Sequence, residues 1–248
     1  MWIKICANTN LDDAALAVEL GADALGFVFA PSSRRVTAQQ VAAITAQLPA
    51  AVEKIGVFDT LDFEEIASMV RIAGLTGAQM HGGFSAKGIA ALKTQLPLLR
   101  IIQTTHWKDE GQSPVEFSEQ LVEINETAGI DAVLVDSRTA NASGGTGVAF
   151  DWSAARKALS APGHKRLIVA GGLNPGNVQQ AIALLQPWGV DVASAVESRP
   201  GKKDVEKLAA FITNARQATV LDLQSSAVRF AGKVEPENVE LLAPPQAQ

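Results

Sequence analysis

Short apolar segments recur along this sequence at nearly even intervals, and this spacing constrains the fold more than any other feature. Their starts lie about 27 residues apart on average, which is the length that one strand, one helix and two short loops require. The starts are Trp2, Ala24, Lys54, Gly77, Leu98, Asp131, Arg166 and Gly189. Segments such as 132–135 and 167–170 are continuously apolar, as is typical of parallel strands buried on both faces.

Eight such units predict an α/β fold, a single (β/α)8 TIM barrel. The alternative is an open, doubly wound sheet, but that fold usually has a glycine-rich fingerprint after its first strand, and residues 6–10 contain no glycine. We predict an eighth helix over 203–216, so residues 1–216 form the barrel domain. Residues 217–248 have weak periodicity, and we expect a partly disordered C-terminal extension.

Composition excludes several classes of protein. A hydrophobic content of 47% excludes a wholly disordered chain, and the net charge of −5 argues against nucleic acid as a partner. No apolar run is long enough to span a membrane. One cysteine excludes an intramolecular disulfide framework, and three histidines leave little material for a metal site. We therefore expect a cytoplasmic protein without a metal, acting as a monomer or a homodimer.

Two candidate catalytic residues stand where predicted strands end. Cys6 closes the first strand and Asp136 closes the sixth, and all strands of a TIM barrel end at the same mouth. A thiolate and a carboxyl group facing each other there could move protons at two places on one substrate. The alternatives are a buried cysteine that acts as a small hydrophobe and an aspartate that caps a loop.

Candidate binding residues follow other strands. Arg34 and Arg35 lie after the second strand, where a guanidinium could bind a carboxylate or a phosphate, although loop arginines are more often solvated. His81 follows the fourth strand and could orient a ligand, or it could be a histidine satisfied near a turn. Turns of small residues let backbone N–H groups approach a phosphate closely, and the loops after strands seven and eight are the frequent phosphate site of this fold. These turns contain Gly145 and Gly147, Gly171 and Gly172, and Ser194 and Ala195.

A series of motifs in fixed order, from about Ile3 to Arg216, resembles the phosphoribosylanthranilate isomerase family. The motifs are Lys4-Ile5-Cys6, Leu25-Gly26-Phe27-Val28-Phe29, Ser32-x-Arg34-x-Val36, Gly56-Val57-Phe58, Gln79-Met80-His81-Gly82, Leu134-Val135-Asp136, Gly144-Gly145-Thr146-Gly147, Phe150-Asp151-Trp152, Ala170-Gly171-Gly172-Leu173, Val190-Asp191-Val192 and Val196-Glu197-Ser198-x-Pro200-Gly201-x-Lys203-Asp204. Their order over nearly the whole predicted barrel is specific, although no single motif is.

The resemblance implies an Amadori rearrangement of a small phosphorylated substrate, with no cofactor. The acid at the position of Asp136 would protonate the ring oxygen of the sugar, and the thiolate at Cys6 would then take a proton from its second carbon. Arg34 matches the family's arginine for the anthranilate carboxylate, and a shift of one residue would select Arg35. Two family glycines are replaced, by Ala7 and Ala195, and alanine is strained wherever φ is positive.

Two other functions remain open from the sequence. The isomerase barrel of histidine synthesis that acts on an aminoimidazole carboxamide ribotide would need a second phosphate loop in the first half of the chain. The loop after the third strand, residues 57–60, contains no glycine. A non-catalytic barrel that binds a phosphorylated ligand is the second alternative, because a fold alone does not define a function.

Overall fold

The computed structural model describes residues 1–108, 113–138, 156, 159 and 165–231. Eight parallel strands form a closed barrel in which β1 pairs with β8. The strands are β1 Trp2–Ile5, β2 Ala24–Val28, β3 Glu53–Phe58, β4 Gly77–Met80, β5 Arg100–Lys108, β6 Ala132–Arg138, β7 Arg166–Ala170 and β8 Gly189–Val192. The predicted TIM barrel is confirmed, and each strand begins within two residues of its predicted start.

Helices of the described residues alternate with these strands. They are α1 Leu11–Glu19, α2 Ala38–Thr45, α3 Phe63–Ala73, α4 Ala86–Gln95, α5 Pro114–Glu126, α6 Val178–Leu185 and α7 Val205–Ala231. The side chains of Asn10 and Asp62 accept hydrogen bonds from backbone N–H groups in the first turns of α1 and α3, as expected of N-caps. In the part of the chain that the structure describes, no helix is long and apolar enough to cross a membrane.

The strands are apolar on both faces because they separate two cores. The inner core fills the barrel with Trp2, Ala24, Ile55, Ile102, Ala132, Leu134, Ile168 and Ala170, and the larger outer core lies between strands and helices. Trp2 stacks on Trp188 at the amino ends of the strands, with ring centroids 5.0 Å apart, and Arg166 lies over Trp188. The amino end of the barrel is therefore filled, and the carboxyl end is where a TIM barrel carries its active site.

The last helix differs from its prediction at both ends. It begins at Val205 rather than 203, because a short hairpin of β9 Glu197–Arg199 and β10 Lys202–Lys203 precedes it. It continues to Ala231. Within α7, Arg216 donates hydrogen bonds to the backbone carbonyl of Gly21 at 2.8 Å and to Asp23 Oδ2 at 2.7 Å. These contacts tie the helix to the loop before β2. Residues 232–248 lie outside the described residues.

Truncations on either side of Arg216 test the predicted domain boundary. A chain ending after residue 223 keeps the contacts of Arg216, so we expect its free energy of unfolding to change by less than about 0.5 kcal/mol. A chain ending after residue 215 loses charged hydrogen bonds, and we expect a loss of roughly 1–3 kcal/mol. Urea unfolding measures both. Equal destabilisation by the two truncations would contradict a boundary near 216.

Candidate active site

A cavity of about 530 Å³ opens at the carboxyl ends of the strands. It brings together most of the side chains and loops that the sequence singled out. Its lining includes Cys6, Arg34, His81, Asp136, Gly171, Gly172, Ser194 and Ala195. Arg35 lies in a separate groove beside Thr37 and Met69, and Gly145 and Gly147 fall outside the described residues.

Cys6 lies directly after β1, above a buried ion pair that the sequence analysis missed. Lys4, two residues earlier on the same strand, is 0% exposed, and its Nζ donates to Asp191 Oδ1 at 2.8 Å. Lys4 and Asp191 are direct partners in the register of β1 and β8. Burial lowers the pKa of Lys4, but Asp191 and Cys6 outweigh this effect and raise it, so the ammonium group stays charged. A lysine inside an apolar strand is the signal that could have revealed the pair.

The thiol of Cys6 is closely packed, and both cations and an anion act on its pKa. A Cβ added at Gly26 would lie 2.6 Å from Cys6 Sγ and 3.1 Å from Lys4 Cε, so β2 needs glycine at this position. Burial raises the pKa of the Cys6 thiol; Lys4 and Lys203 act in the opposite direction, and Asp191 adds to the increase. The thiolate that catalysis would need therefore depends on the nearby cations.

A second, partly buried ion pair holds Arg34 at the wall of the cavity. Both side-chain oxygens of Glu197 accept hydrogen bonds from Arg34, at 2.7–3.0 Å, and the Glu197 side chain is only 3% exposed. Lys203 Nζ lies 3.5 Å from the same carboxylate and donates to the backbone carbonyl of Cys6 at 2.5 Å. The arrangement fixes the guanidinium in one orientation and links it to the strand end that carries the thiol.

The β9–β10 hairpin that supplies Glu197 and Lys203 is itself anchored to α1 and to the loop after β1. Asp13 Oδ2 accepts a hydrogen bond from the backbone N–H of Lys203 at 2.8 Å, and Asp13 also pairs with Lys202. Thr9 Oγ1 donates to the carbonyl of Gly201 at 2.6 Å. The loops after β1 and β8 are therefore held as one rigid unit around the cavity.

The loop after β7 has a left-handed backbone at both of its glycines. Gly171 and Gly172 have φ angles of 76° and 65°, a left-handed conformation that favours glycine and leaves the backbone open to a ligand. Asn177 Nδ2 donates to the carbonyl of Gly172 at 2.9 Å and braces the turn. On the neighbouring loop, a 3₁₀ turn begins at Ser194, so its first N–H groups have no partner within the turn.

His81 lines the opposite side of the cavity and packs against His106 with ring centroids 5.0 Å apart. Beside it, Gln79 is almost fully buried and donates from Nε2 to Thr104 Oγ1 at 3.1 Å. Gln79 was quoted only as part of a motif, and the sequence reasoning assigned it no role. Among the described residues, no three His, Cys, Asp or Glu side chains form a group that could hold a metal ion.

Comparison with known proteins identifies the family. The sequence profile of the family described as N-(5'phosphoribosyl)anthranilate (PRA) isomerase matches residues 3–214. The chain belongs to this family. It is 38% identical to the N-(5'-phosphoribosyl)anthranilate isomerase of Pelobacter propionicus over 216 residues, covering 87% of this chain and 95% of that protein. The corresponding enzyme of Symbiobacterium thermophilum is 37% identical over 232 residues, which cover 87% and 98% of the two chains.

Solved structures give the same result. Phosphoribosyl anthranilate isomerase from Thermotoga maritima matches with a TM-score of 0.74 and 32% identity, covering 88% of this chain and 99% of that one. A second structure, of phosphoribosyl anthranilate isomerase in complex with reduced 1-(o-carboxyphenylamino)-1-deoxyribulose 5-phosphate, matches with a TM-score of 0.71 and 31% identity, over 88% and 99% of the two chains.

The two alanines that replace glycines in the phosphoribosylanthranilate isomerase motifs have different backbone conformations. Ala7 is buried and has a φ angle of 62°, in the region where a Cβ crowds the backbone. Among the described non-glycine residues only Ala7 and Gln186 have positive φ, so Ala195 is not strained in this way. The strain lies next to Cys6, at the start of the loop that the hairpin holds.

Replacing Ala7 by glycine should therefore stabilise the protein. The substitution removes a left-handed alanine, which costs about 1–2 kcal/mol, and part of that gain is offset by the larger backbone entropy of glycine in the unfolded chain. We expect the free energy of unfolding to rise by about 1 kcal/mol, measured by urea unfolding.

Ala195→Gly is the matched control for this substitution. It also exchanges alanine for glycine in a cavity loop, but without strain to relieve, so we expect a loss of about 0.5–1 kcal/mol. Destabilisation by Ala7→Gly of the same size as by Ala195→Gly would contradict the role assigned to the φ angle.

Proposed function

We propose that this protein is the isomerase of tryptophan biosynthesis that converts N-(5-phosphoribosyl)anthranilate into 1-(2-carboxyphenylamino)-1-deoxyribulose 5-phosphate. The reaction is an Amadori rearrangement. The observation that carries the proposal is that Cys6, after β1, and Asp136, on β6, line one cavity together with Arg34 and the small-residue loops after β7 and β8. Family membership supplies the substrate and the reaction class.

Asp136 is the proposed general acid and Cys6 the proposed general base. The carboxyl group of Asp136 donates a proton to the ring oxygen of the sugar, and the ring opens to a Schiff base. The Cys6 thiolate then removes the proton from the second carbon, and the resulting enolamine tautomerises to the ketone. The two residues stand on strands separated by β7 and β8, so each can act on a different atom of a substrate between them.

The two ends of the substrate would be held by different chemistry. We assign the phosphate to the backbone of Gly171, Gly172, Ser194 and Ala195, with Gly145 and Gly147 as predicted further contributors. The anthranilate carboxylate is assigned to Arg34 rather than Arg35, because only Arg34 of the two lines the cavity. His81 remains a predicted substrate contact on the opposite wall.

The alternative reactions receive less support from this chain. A substrate with two phosphates would need a second anion loop, and the loop after β3 offers no glycine over residues 57–60. A non-catalytic barrel would have no need for a thiol and a carboxyl group on opposite sides of one cavity. An assay that monitors the loss of N-(5-phosphoribosyl)anthranilate fluorescence during turnover distinguishes these possibilities from the proposed reaction.

The cellular setting is proposed from the sequence and the chemistry together. We propose that the protein acts in the cytoplasm, where a free thiol stays reduced, without a metal or cofactor and without nucleic acid as a partner. Its expected assembly state is a monomer or a homodimer. Light scattering of the purified chain measures that state, and a larger assembly would contradict the prediction.

Removal of either proton-transfer group should nearly abolish turnover. We expect Cys6→Ala and Asp136→Asn each to reduce kcat by about 100-fold or more, because positioned acid–base groups contribute on that scale. The fluorescence assay gives kcat, and circular dichroism with urea unfolding checks that each variant is folded. A folded variant with near-wild-type kcat would remove that residue from the mechanism.

Substitution of each of the two neighbouring arginines should distinguish their roles. Arg34→Met removes the charged hydrogen bonds to the substrate carboxylate. Such bonds contribute about 1.5–3 kcal/mol, so we expect kcat/KM to fall roughly 10- to 150-fold. Arg35→Met, the matched control in the separate groove, should change kcat/KM less than about twofold. With N-(5-phosphoribosyl)aniline, which lacks the carboxylate, Arg34→Met should cause little further loss. The opposite ranking of the two variants would assign the contact to Arg35.

A further inference from the structure

We propose that Lys4 is the group that most strongly favours the thiolate form of Cys6, and that Asp191 limits the strength of this effect. The proposal deepens the function above and rests on it, because it concerns the residue assigned as the base. Lys4 does not line the cavity, and nothing about the strand pattern alone gives it a role beyond the fold.

The geometry places the Lys4 side chain beneath the thiol. Lys4 and Cys6 stand two residues apart at the end of β1, so their side chains point to the same side of the barrel wall. Gly26 on β2 lies against both, within 2.6 Å of Sγ and 3.1 Å of Lys4 Cε when a Cβ is added. An ammonium group has three N–H donors, and Asp191 accepts one of them at 2.8 Å. Lys4 is 0% exposed, so its other N–H donors do not face water.

The ion pairs beside the thiol contain more cations than anions. Lys4, Lys203 and Arg34 carry three positive charges, and Asp191 and Glu197, with which they pair, carry two negative charges. Buried charge without compensation is costly, so these pairs favour an anion at Cys6, while burial of the thiol opposes it.

Other titratable groups face the thiol from around the cavity. Lys4 precedes it on β1, Asp191 lies on β8 and Lys203 on β10, while Arg34, Asp59, His81 and Asp136 line the same cavity from the other strand ends. Lys4 and Lys203 are buried, so water screens them least. Lys203 is held by Glu197 and by the Cys6 carbonyl, which leaves Lys4 as the cation whose substitution tests the thiol most directly.

The sign of the effect follows from the opposing causes. Burial has the largest effect and holds the pKa of Cys6 above its ordinary value; Lys4 opposes it, and Asp191 adds to the increase. Without Lys4, this cation no longer opposes the effects of burial and Asp191, so the thiol pKa rises and the thiolate forms only at higher pH. Loss of the Asp191 charge removes one of the groups that disfavour the thiolate, and the pKa falls.

The experiment measures the thiol pKa in the full chain without substrate. Because Cys6 is the only cysteine in the sequence, alkylation by iodoacetamide, followed as intact mass against pH, reports this thiol alone. For Lys4→Met we expect the midpoint to move up by about 1–3 pH units, the range for loss of a close opposite charge. For Asp191→Asn we expect a downward shift, and for Lys4→Arg a midpoint near that of the wild type.

Opposite shifts of the thiol pKa in Lys4→Met and Asp191→Asn distinguish an electrostatic role of Lys4 from a structural one. Loosening of the barrel would move the thiol towards its ordinary pKa in both variants. If Lys4→Met does not fold, the double variant Lys4→Met/Asp191→Asn removes the ion pair as a unit, and a smaller upward shift is expected because Lys4 acts on the thiol more strongly than Asp191. An unchanged or lower midpoint in Lys4→Met, or in the double variant, would overturn the proposal.

The same variants distinguish this proposal from the proposed function. Alkylation needs no turnover, so the expected shifts without isomerase activity would refute the function and leave the thiolate assignment standing. Activity with unshifted midpoints would refute the role of Lys4 alone. In the active protein, kcat/KM is lost as the pH falls through the thiol pKa, and this acid limb should move to higher pH in Lys4→Met by the same amount as the alkylation midpoint.

Discussion

The ion pair between Lys4 and Asp191 crosses the seam at which the first strand meets the last and closes the barrel. Breaking a buried pair leaves a charge without compensation, which is costly, so the pair specifies the register of β1 on β8. A slip by one residue would turn Lys4 towards the outer, apolar core. The same pair lies beneath Cys6, so closure of the fold and the environment of the proposed base depend on one interaction.

Around this pair, the cavity is built from loops that are locked to one another rather than from isolated side chains. The β9–β10 hairpin contributes Glu197 and Lys203, and it is attached to α1 through Asp13 and to the loop after β1 through Thr9. Glu197 in turn orients Arg34. This rigidity matters for catalysis, because groups that move protons must stand within about 0.5 Å of a productive geometry. The strained backbone at Ala7 lies in the same locked region.

Much of this arrangement could be predicted from the sequence. The regular spacing of apolar segments predicted the barrel because each unit must supply one strand and one helix, and the strand ends then selected Cys6 and Asp136. The Lys4–Asp191 and Arg34–Glu197 pairs were missed, because their members lie 187 and 163 residues apart and only three-dimensional register brings them together. The choice between Arg34 and Arg35 depends on side-chain direction in an irregular loop, where no periodicity applies.

The most direct test of the account is a crystal structure of this protein with the reduced product analogue 1-(o-carboxyphenylamino)-1-deoxyribulose 5-phosphate. We predict the phosphate against the backbone of Gly172 and Ser194, the carboxylate on Arg34, and the sugar carbons between Cys6 Sγ and the Asp136 carboxylate. A phosphate bound elsewhere, or a sugar out of hydrogen-bonding reach of both Cys6 and Asp136, would contradict the proposed isomerase mechanism.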